Sequence, residues 1–325
     1  MRLVKLMQND LLVVTGGLGF IGKNFTQFIK DSYKKILVID KNSEHSDIDF
    51  LNDLNQDNIS IIESDISDTN KFEHLLPQSF DLVNFAAESH VDRSFVNSID
   101  FSYSNYIATH KLLEFIRLNN LSPRIIHIST DEVYGSIENQ AATESSQIKP
   151  TNPYSVSKAA ADLLCQTYVK CYGLNILIVR PNNIYGPYQH FEKLIPRAVY
   201  AASNKDFMTI HGDGSPKRSF LNVIDFSKAI NILLKEDWNN LKHSIFNITS
   251  NNEFSVLEII KMIAEISDTN VSDFASFGTD RPFNDLRYLT DCSRLNDIGW
   301  VENEDFSNSL AEIFNKQMIF KGKSH

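Results

Sequence analysis

The chain has 325 residues, 42% of them hydrophobic, and a formal net charge of −10. That length suits one large α/β domain, or such a domain with a smaller lobe, and the apolar share excludes global disorder. The acidic balance argues against a general nucleic-acid binder. Three cysteines, Cys165, Cys171 and Cys292, give neither a metal-ligand spacing nor a disulfide framework, which fits a reducing compartment. The opening MRLVKLMQND lacks the apolar core of a signal peptide, and no segment reaches the roughly 18 apolar residues of a membrane span. The expectation is a soluble cytoplasmic protein with no membrane or nucleic-acid partner and no metal.

In chain order, LLVVTGG (11–17), KKILVID (35–41), NISIIESD (58–65), FDLVNFAA (80–87), PRIIHIST (123–130) and LNILIVRP (174–181) are short runs rich in Val, Ile and Leu. They are nearly continuous rather than alternating, as strands buried on both faces of a parallel sheet are. Helix-like segments lie between them, among them 22–33, 105–120 and 154–173. The alternation predicts an α/β fold with a doubly wound parallel (Rossmann) sheet. After residue 181 the regularity breaks. Residues 1–181 read as the sheet domain, and 182–325 mainly as a smaller C-terminal lobe, with about 220–235 packing back on the first. In the second part, SVLEIIKMIAEISD predicts a helix whose Ser255 and Glu258 form a capping box.

TGGLGFIG follows the first strand and opens the first helix, with Gly16, Gly19 and Gly22 at every third position. Such glycines permit a tight turn and close approach of the backbone to a pyrophosphate, and the helix N-terminus faces it with N–H groups. Alone this is a weak signal. The second strand ends in Asp40, where an acid can bind the hydroxyls of an adenosine ribose and disfavour a 2′-phosphate. NAD is therefore expected over NADP, although Lys41 stands next to the acid. Asp65, at the end of the third strand, is a candidate neighbour of the adenine.

YSVSK sets Tyr154 and Lys158 one helical turn apart on one face. A tyrosine is a poor base at neutral pH, and a nearby ammonium, together with oxidised nicotinamide, is expected to lower its pKa. The pair then takes a hydroxyl proton while hydride leaves the same carbon. Between the last strand of the first half and a Tyr-Gly turn, STDEVYG places Asp131 beside Glu132.

TGGLGFIG, FAAESHVDRS, STDEVYG, NPYSVSK, NIYGPYQHFEKLIP and KRSFLNVIDFSKAI resemble the extended short-chain dehydrogenase/reductase family. More narrowly they resemble its nucleotide-sugar 4,6-dehydratases, in the same order and from residue 11 to about residue 300. The resemblance implies catalytic roles for Thr130, Asp131, Glu132, Tyr154 and Lys158. Thr130 would bond the C4 oxygen, Glu132 remove the C5 proton and Asp131 protonate the departing C6 hydroxyl. On the cofactor side it adds Phe20, Ile21, Ile66, Ala86 and Ala87. For the substrate it points to Ser89, Asn183, Glu192, Lys193, Leu194, Arg218, Asn252, Arg281 and Asn284. Asp131 has to be protonated and Glu132 ionised, so one of these neighbouring pKa values should rise.

The implied substrate is a nucleotide sugar. Phe283-Asn284 stands where bacterial dTDP-glucose enzymes tend to have Gly-His, which favours UDP-glucose, as in rhamnose synthesis. dTDP-glucose 4,6-dehydration is the alternative. A UDP-sugar 4-epimerase, which needs no elimination, and a nucleotide-sensing protein without catalysis are weaker readings. The helices 102–120 and 154–172 are, by resemblance, the expected homodimer interface.

Overall fold

The six apolar runs and one further strand form one all-parallel sheet: β1 (Leu11–Thr15), β2 (Lys35–Asp40), β3 (Ile59–Glu63), β4 (Asp81–Asn84), β5 (Arg124–Ile128), β6 (Asn175–Pro181) and β7 (Ile245–Ile248). Their spatial order is β7-β6-β5-β4-β1-β2-β3. The computed structural model describes residues 9–54, 56–279 and 285–321. Alternate residues of each strand feed two separate cores. Leu12, Val14, Val38, Val83 and Ile126 meet the helices Phe20–Ile29 and Val223–Lys235. Val13, Leu37, Leu82, Ile125 and Ile178 meet Ala108–Leu118 and Pro153–Tyr172 on the opposite face. Both faces are covered, so the strands read as unbroken apolar runs. Each such side chain contributes about 1.5–3 kcal/mol by leaving water.

Strand β7 comes from beyond residue 181 and extends the sheet beside β6. A separate core lies under the helices Leu194–Asn204, Val256–Ser267 and Phe306–Lys316, built on Val199, Ile210, Phe220, Ile259, Ile263 and Leu310. Ser255 and Glu258 form the reciprocal cap of Val256–Ser267. Among the described residues no helix is long and apolar enough to cross a membrane.

The winding direction reverses between β1 and β4, which pair directly from Leu12↔Asp81 to Thr15↔Asn84. In doubly wound sheets the crevice beyond the carboxyl ends of such strands is where ligands enter. Thr15 leads into the glycine turn there, and Asn84 into Phe85–Ala87.

Candidate active site

At that crevice the backbone needs glycine for steric reasons. Gly16 has φ +67°, and a Cβ on it would lie 2.6 Å from the Ala86 nitrogen. A Cβ on Gly22 would run into the Gly16 carbonyl, so the Phe20–Ile29 helix abuts the turn directly. The open end of that helix faces a cavity of about 960 Å³, lined by Gly16, Gly19, Phe20, Ile21, Gly22, Asp40, Asp65, Ile66, Ala86 and Ala87. Asp40 is fixed by three donors: the amides of Leu18 and Asn42, at 3.1 and 2.8 Å, and the Ser46 hydroxyl at 2.7 Å. Lys41 turns to Glu88 at 2.6 Å. Its charge is thereby engaged, which removes the main sequence argument for a 2′-phosphate. Asp65 accepts the Ser67 amide at 2.8 Å.

Thr130 leaves β5 extended and caps the short turn Asp131–Tyr134, its Oγ1 accepting the Glu132 amide at 3.3 Å. The two carboxylates diverge from this point. Asp131 is only 2% exposed. Its Oδ2 accepts from Asn182 Nδ2 at 2.7 Å, and its Oδ1 accepts from the Thr130 hydroxyl at 3.2 Å. Glu132 accepts from Asn152 Nδ2 at 3.2 Å, and the Tyr288 hydroxyl lies 3.5 Å from it. Glu132, Thr130, Tyr154 and Lys158 line the cavity. Asp131 sits one layer behind, with Thr130 and Asn182 between it and the open space. Asn152 also caps the Pro153–Tyr172 helix that carries Tyr154 and Lys158. One side chain thus sets both the helix start and the Glu132 carboxylate.

Burial pushes Asp131 up to about 7; the Asn182 bond opposes this and the Glu132 charge adds to it. Burial also raises Glu132, against the bond from Asn152. Both carboxyls rise, rather than one alone, because both have left water. Burial lowers Lys158 to about 8. The expected lowering of Tyr154 does not come from the protein. Burial raises its hydroxyl well above the phenol range, the Glu132 charge adds to this, and a hydrogen bond with Thr130 opposes it. The lysine ammonium is instead directed at the Ile128 carbonyl, 2.5 Å away.

Ser89, Asn183, Glu192, Lys193, Leu194 and Arg218 line the same cavity. Lys193 Nζ donates to the Ser89 carbonyl at 2.9 Å, tying the two sides of the cleft. The Arg218 guanidinium lies over the Tyr288 ring, 4.6 Å from its centre. Asn252 is not among the lining residues, and its amide is held by Glu302 at 3.0 Å. Arg281 and Asn284 lie outside the described residues, as does Phe283. Sequence reasoning missed Asn182, Asn152 and Tyr288. Asn182 stands directly before the chosen Asn183, and Asn152 was readable as a cap before Pro153; nothing in sequence marks Tyr288. It also missed the far wall, Arg197 and Phe207–His211.

The family model described as GDP-mannose 4,6 dehydratase matches residues 13–313. A trifunctional UDP-glucose 4,6-dehydratase/UDP-4-keto-6-deoxy-D-glucose 3,5-epimerase/UDP-4-keto-L-rhamnose-reductase of Arabidopsis thaliana is 37% identical over 309 residues, covering 93% of this chain. The chain spans 46% of that relative's length. A dTDP-D-glucose 4,6-dehydratase of Dictyostelium discoideum is 34% identical over 352 residues, covering 93% of this chain and 80% of the relative. The solved dTDP-glucose 4,6-dehydratase DesIV of Streptomyces venezuelae, with NAD and TYD bound, superposes with a TM-score of 0.88 at 31% identity, covering 94% of this chain and 96% of that one.

Proposed function

The chain belongs to the GDP-mannose 4,6 dehydratase family, and on that premise we propose that its cleft converts a nucleoside-diphosphate glucose to the 4-keto-6-deoxy sugar, with NAD as cofactor and UDP-glucose as the preferred substrate. The observation that carries the reading is one cavity lined by the glycine turn, Tyr154, Lys158 and Glu132, with Asp131 directly behind it. The cradle fits a dinucleotide: a side chain at Gly16 or Gly22 would collide with the backbone of the turn and push it out of shape, and Asp40 lines the same cavity for the ribose hydroxyls. NAD held there by the glycine turn and Asp40 would supply the hydride acceptor for C4 and the hydride for C6.

The chain's own residues do the rest. Tyr154 takes the proton of the C4 hydroxyl, and its high pKa in the protein alone means that it depends on the positive charge of the oxidised nicotinamide. Lys158 holds a further positive charge one turn away. Thr130 orients the C4 oxygen. Once C4 is a ketone the C5 proton is acidic, and Glu132 removes it. Asp131, with a pKa near 7, carries the proton that the C6 hydroxyl needs to leave as water. Because Asp131 lies behind Thr130 and Asn182, a shift of these side chains accompanies that transfer.

Glu192, Lys193, Leu194 and Arg218 take the sugar and diphosphate, Arg218 offering paired donors to phosphate oxygens. Ser89 and Asn183 complete the sugar contacts, and Asn252, Arg281 and Asn284 are assigned to the nucleotide end. On this reading residues 1–181 hold mainly the cofactor and 182–325 mainly the substrate. UDP-glucose is favoured by the Arabidopsis relatives' name and by Phe283-Asn284. The thymine methyl changes discrimination by only about 1–3 kcal/mol, so dTDP-glucose is a slower substrate and not an excluded one. The unpaired thiols fit a cytoplasmic enzyme.

Incubation with UDP-glucose and, separately, dTDP-glucose tests the reading by mass spectrometry. Loss of one water from the sugar supports it. An isomer of unchanged mass makes the protein an epimerase, and inactivity on both sugars removes the proposal. A homodimer is also proposed: Val96, Ile99, Tyr103, Leu118, Leu163 and Tyr172 are exposed on the helical side of the sheet domain that carries Pro153–Tyr172. Light scattering at the mass of one 37.0 kDa chain would reject it.

A further inference from the structure

At the mouth of the cleft two loops bring His45, His190 and Glu192 together, with one ligand atom from each lying within 4.8 Å of the others. His45 lies in the loop after β2, beyond Asp40. His190 and Glu192 precede the Leu194–Asn204 helix. The two imidazoles meet edge to face, their centres 4.6 Å apart. His190 Nδ1 is 3.6 Å from the Glu192 carboxylate, and His90 Nε2 is 3.9 Å from the same oxygen. Ligands around a tetrahedral ion at about 2.0–2.1 Å stand roughly 3.3 Å apart. One edge of such a site, His190 to Glu192, is thus close to formed, and the edges to His45, within 4.8 Å, need side-chain rotation to close.

The surroundings carry both signs of charge: Arg93 and Lys193 act on His190 alongside Glu44. The Arg93 guanidinium bonds the His45 ring and lies 2.9 Å from Glu44, whose carboxylate is 3.3 Å from His45 Nε2. Arg93 is partly exposed, and ion binding requires it to turn away from the His45 ring, leaving Glu44 and Glu192 facing the imidazoles. We propose that His45, His190 and Glu192 form a binding site for a zinc-type divalent ion, which pins the loop beyond Asp40 to the segment carrying Lys193 and so closes the cleft. Two imidazoles and one carboxylate are a borderline donor set that suits zinc; magnesium and calcium seek mostly oxygen ligands. Sequence spacing gives no sign of the site because its donors come from distant loops.

The test is direct and independent of turnover. Zinc chloride is titrated into the full chain by calorimetry, with magnesium chloride as control, and the rate of NAD uptake is followed by quenching of intrinsic fluorescence. One zinc per chain is expected at this site. His45→Ala and His190→Ala should each weaken it about tenfold or more, since even partners of ligands cost that much. Cys171→Ser should leave it in place, which separates the site from the exposed thiol. Zinc should slow NAD uptake in the unaltered chain and not in the histidine variants. His190→Asn, closer in size, checks that the loss is not one of folding, judged by an unchanged circular dichroism spectrum. Equal binding of magnesium, or zinc binding that persists in both alanine variants, overturns the site. Zinc bound with unchanged NAD uptake overturns the closure. If NAD uptake responds as stated while neither sugar nucleotide is converted, the proposed activity fails and the ion site stands.

Discussion

Asp131→Asn separates a catalytic acid from a structural one, because the two roles move stability in opposite directions. Protonated, Asp131 can donate to Thr130 and accept from Asn182. Asparagine does the same, its carbonyl accepting from Asn182 Nδ2 and its amide donating to Thr130 Oγ1, so the substitution preserves the buried bonds. The ionised form has no such equivalent. With a folded pKa of about 7 against about 3.9 in the unfolded chain, the folded protein holds this proton the more tightly. Stability from this group is therefore complete below pH 4 and is lost as pH rises towards 7. About three units at ~1.4 kcal/mol each give a penalty of about 4 kcal/mol in alkaline buffer. The variant escapes it. In urea unfolding followed through the buried Trp238 and Trp300, the stability difference should move in the variant's favour by about 2–3 kcal/mol between pH 5 and pH 8. Turnover should fall by about 10²–10⁴-fold. A stability difference that ignores pH, or that moves against the variant as pH rises, would refute a proton held at Asp131.

The fold was legible because its rule is local. The inner strands of the sheet are buried on both faces, so they appear as unbroken runs such as LLVV or ILVI, and the glycine turn marks where the winding reverses. Strand β7 was not legible: IFNI is four residues long, follows a polar stretch and is completed only by pairing with β6. Where a buried strand comes late in the chain, composition cannot assign it to a sheet begun more than two hundred residues earlier.

The site was legible where the chemistry is carried by spacing, as in Tyr154 and Lys158 on one helical face or the adjacent Asp131 and Glu132. It was not legible where one polar group steadies another across the fold. Asn182 to Asp131 and Asn152 to Glu132 are single bonds between segments far apart in sequence, made by residues that look like ordinary caps and turns. The pKa of Tyr154 failed for a related reason. Spacing puts a cation one turn away but says nothing of the burial and neighbouring carboxylates that outweigh it. Arg218 shows the reverse case: sequence gave it an anion to bind, and the structure adds the Tyr288 ring beneath it, which fixes the plane of the guanidinium.

The remaining predictions concern the base, the tyrosine and the cofactor pocket. Glu132→Gln should oxidise the sugar but stop before loss of water, leaving reduced cofactor on the protein and no solvent deuterium at C5. Tyr154→Phe should yield no reduced cofactor at all in the same single-turnover absorbance trace, and dehydration by Glu132→Gln at near the normal rate would return Glu132 to the status of a loop acid. Glu88→Gln addresses Lys41, the residue that left room for NADP in the sequence. Glu88 holds the Lys41 ammonium at 2.6 Å, with the lysine side chain 43% exposed and the glutamate 18% exposed. Removing the carboxylate frees that cation to meet a 2′-phosphate, while Asp40 keeps its negative charge and its three donors. A partly exposed pair contributes about 1 kcal/mol or less, so NADP binding should tighten by no more than about fivefold and NAD should remain the tighter ligand. Fluorescence titration with both dinucleotides measures this; unchanged or weaker NADP binding would mean that Lys41 points away from the ribose, and that Asp40 sets the preference alone.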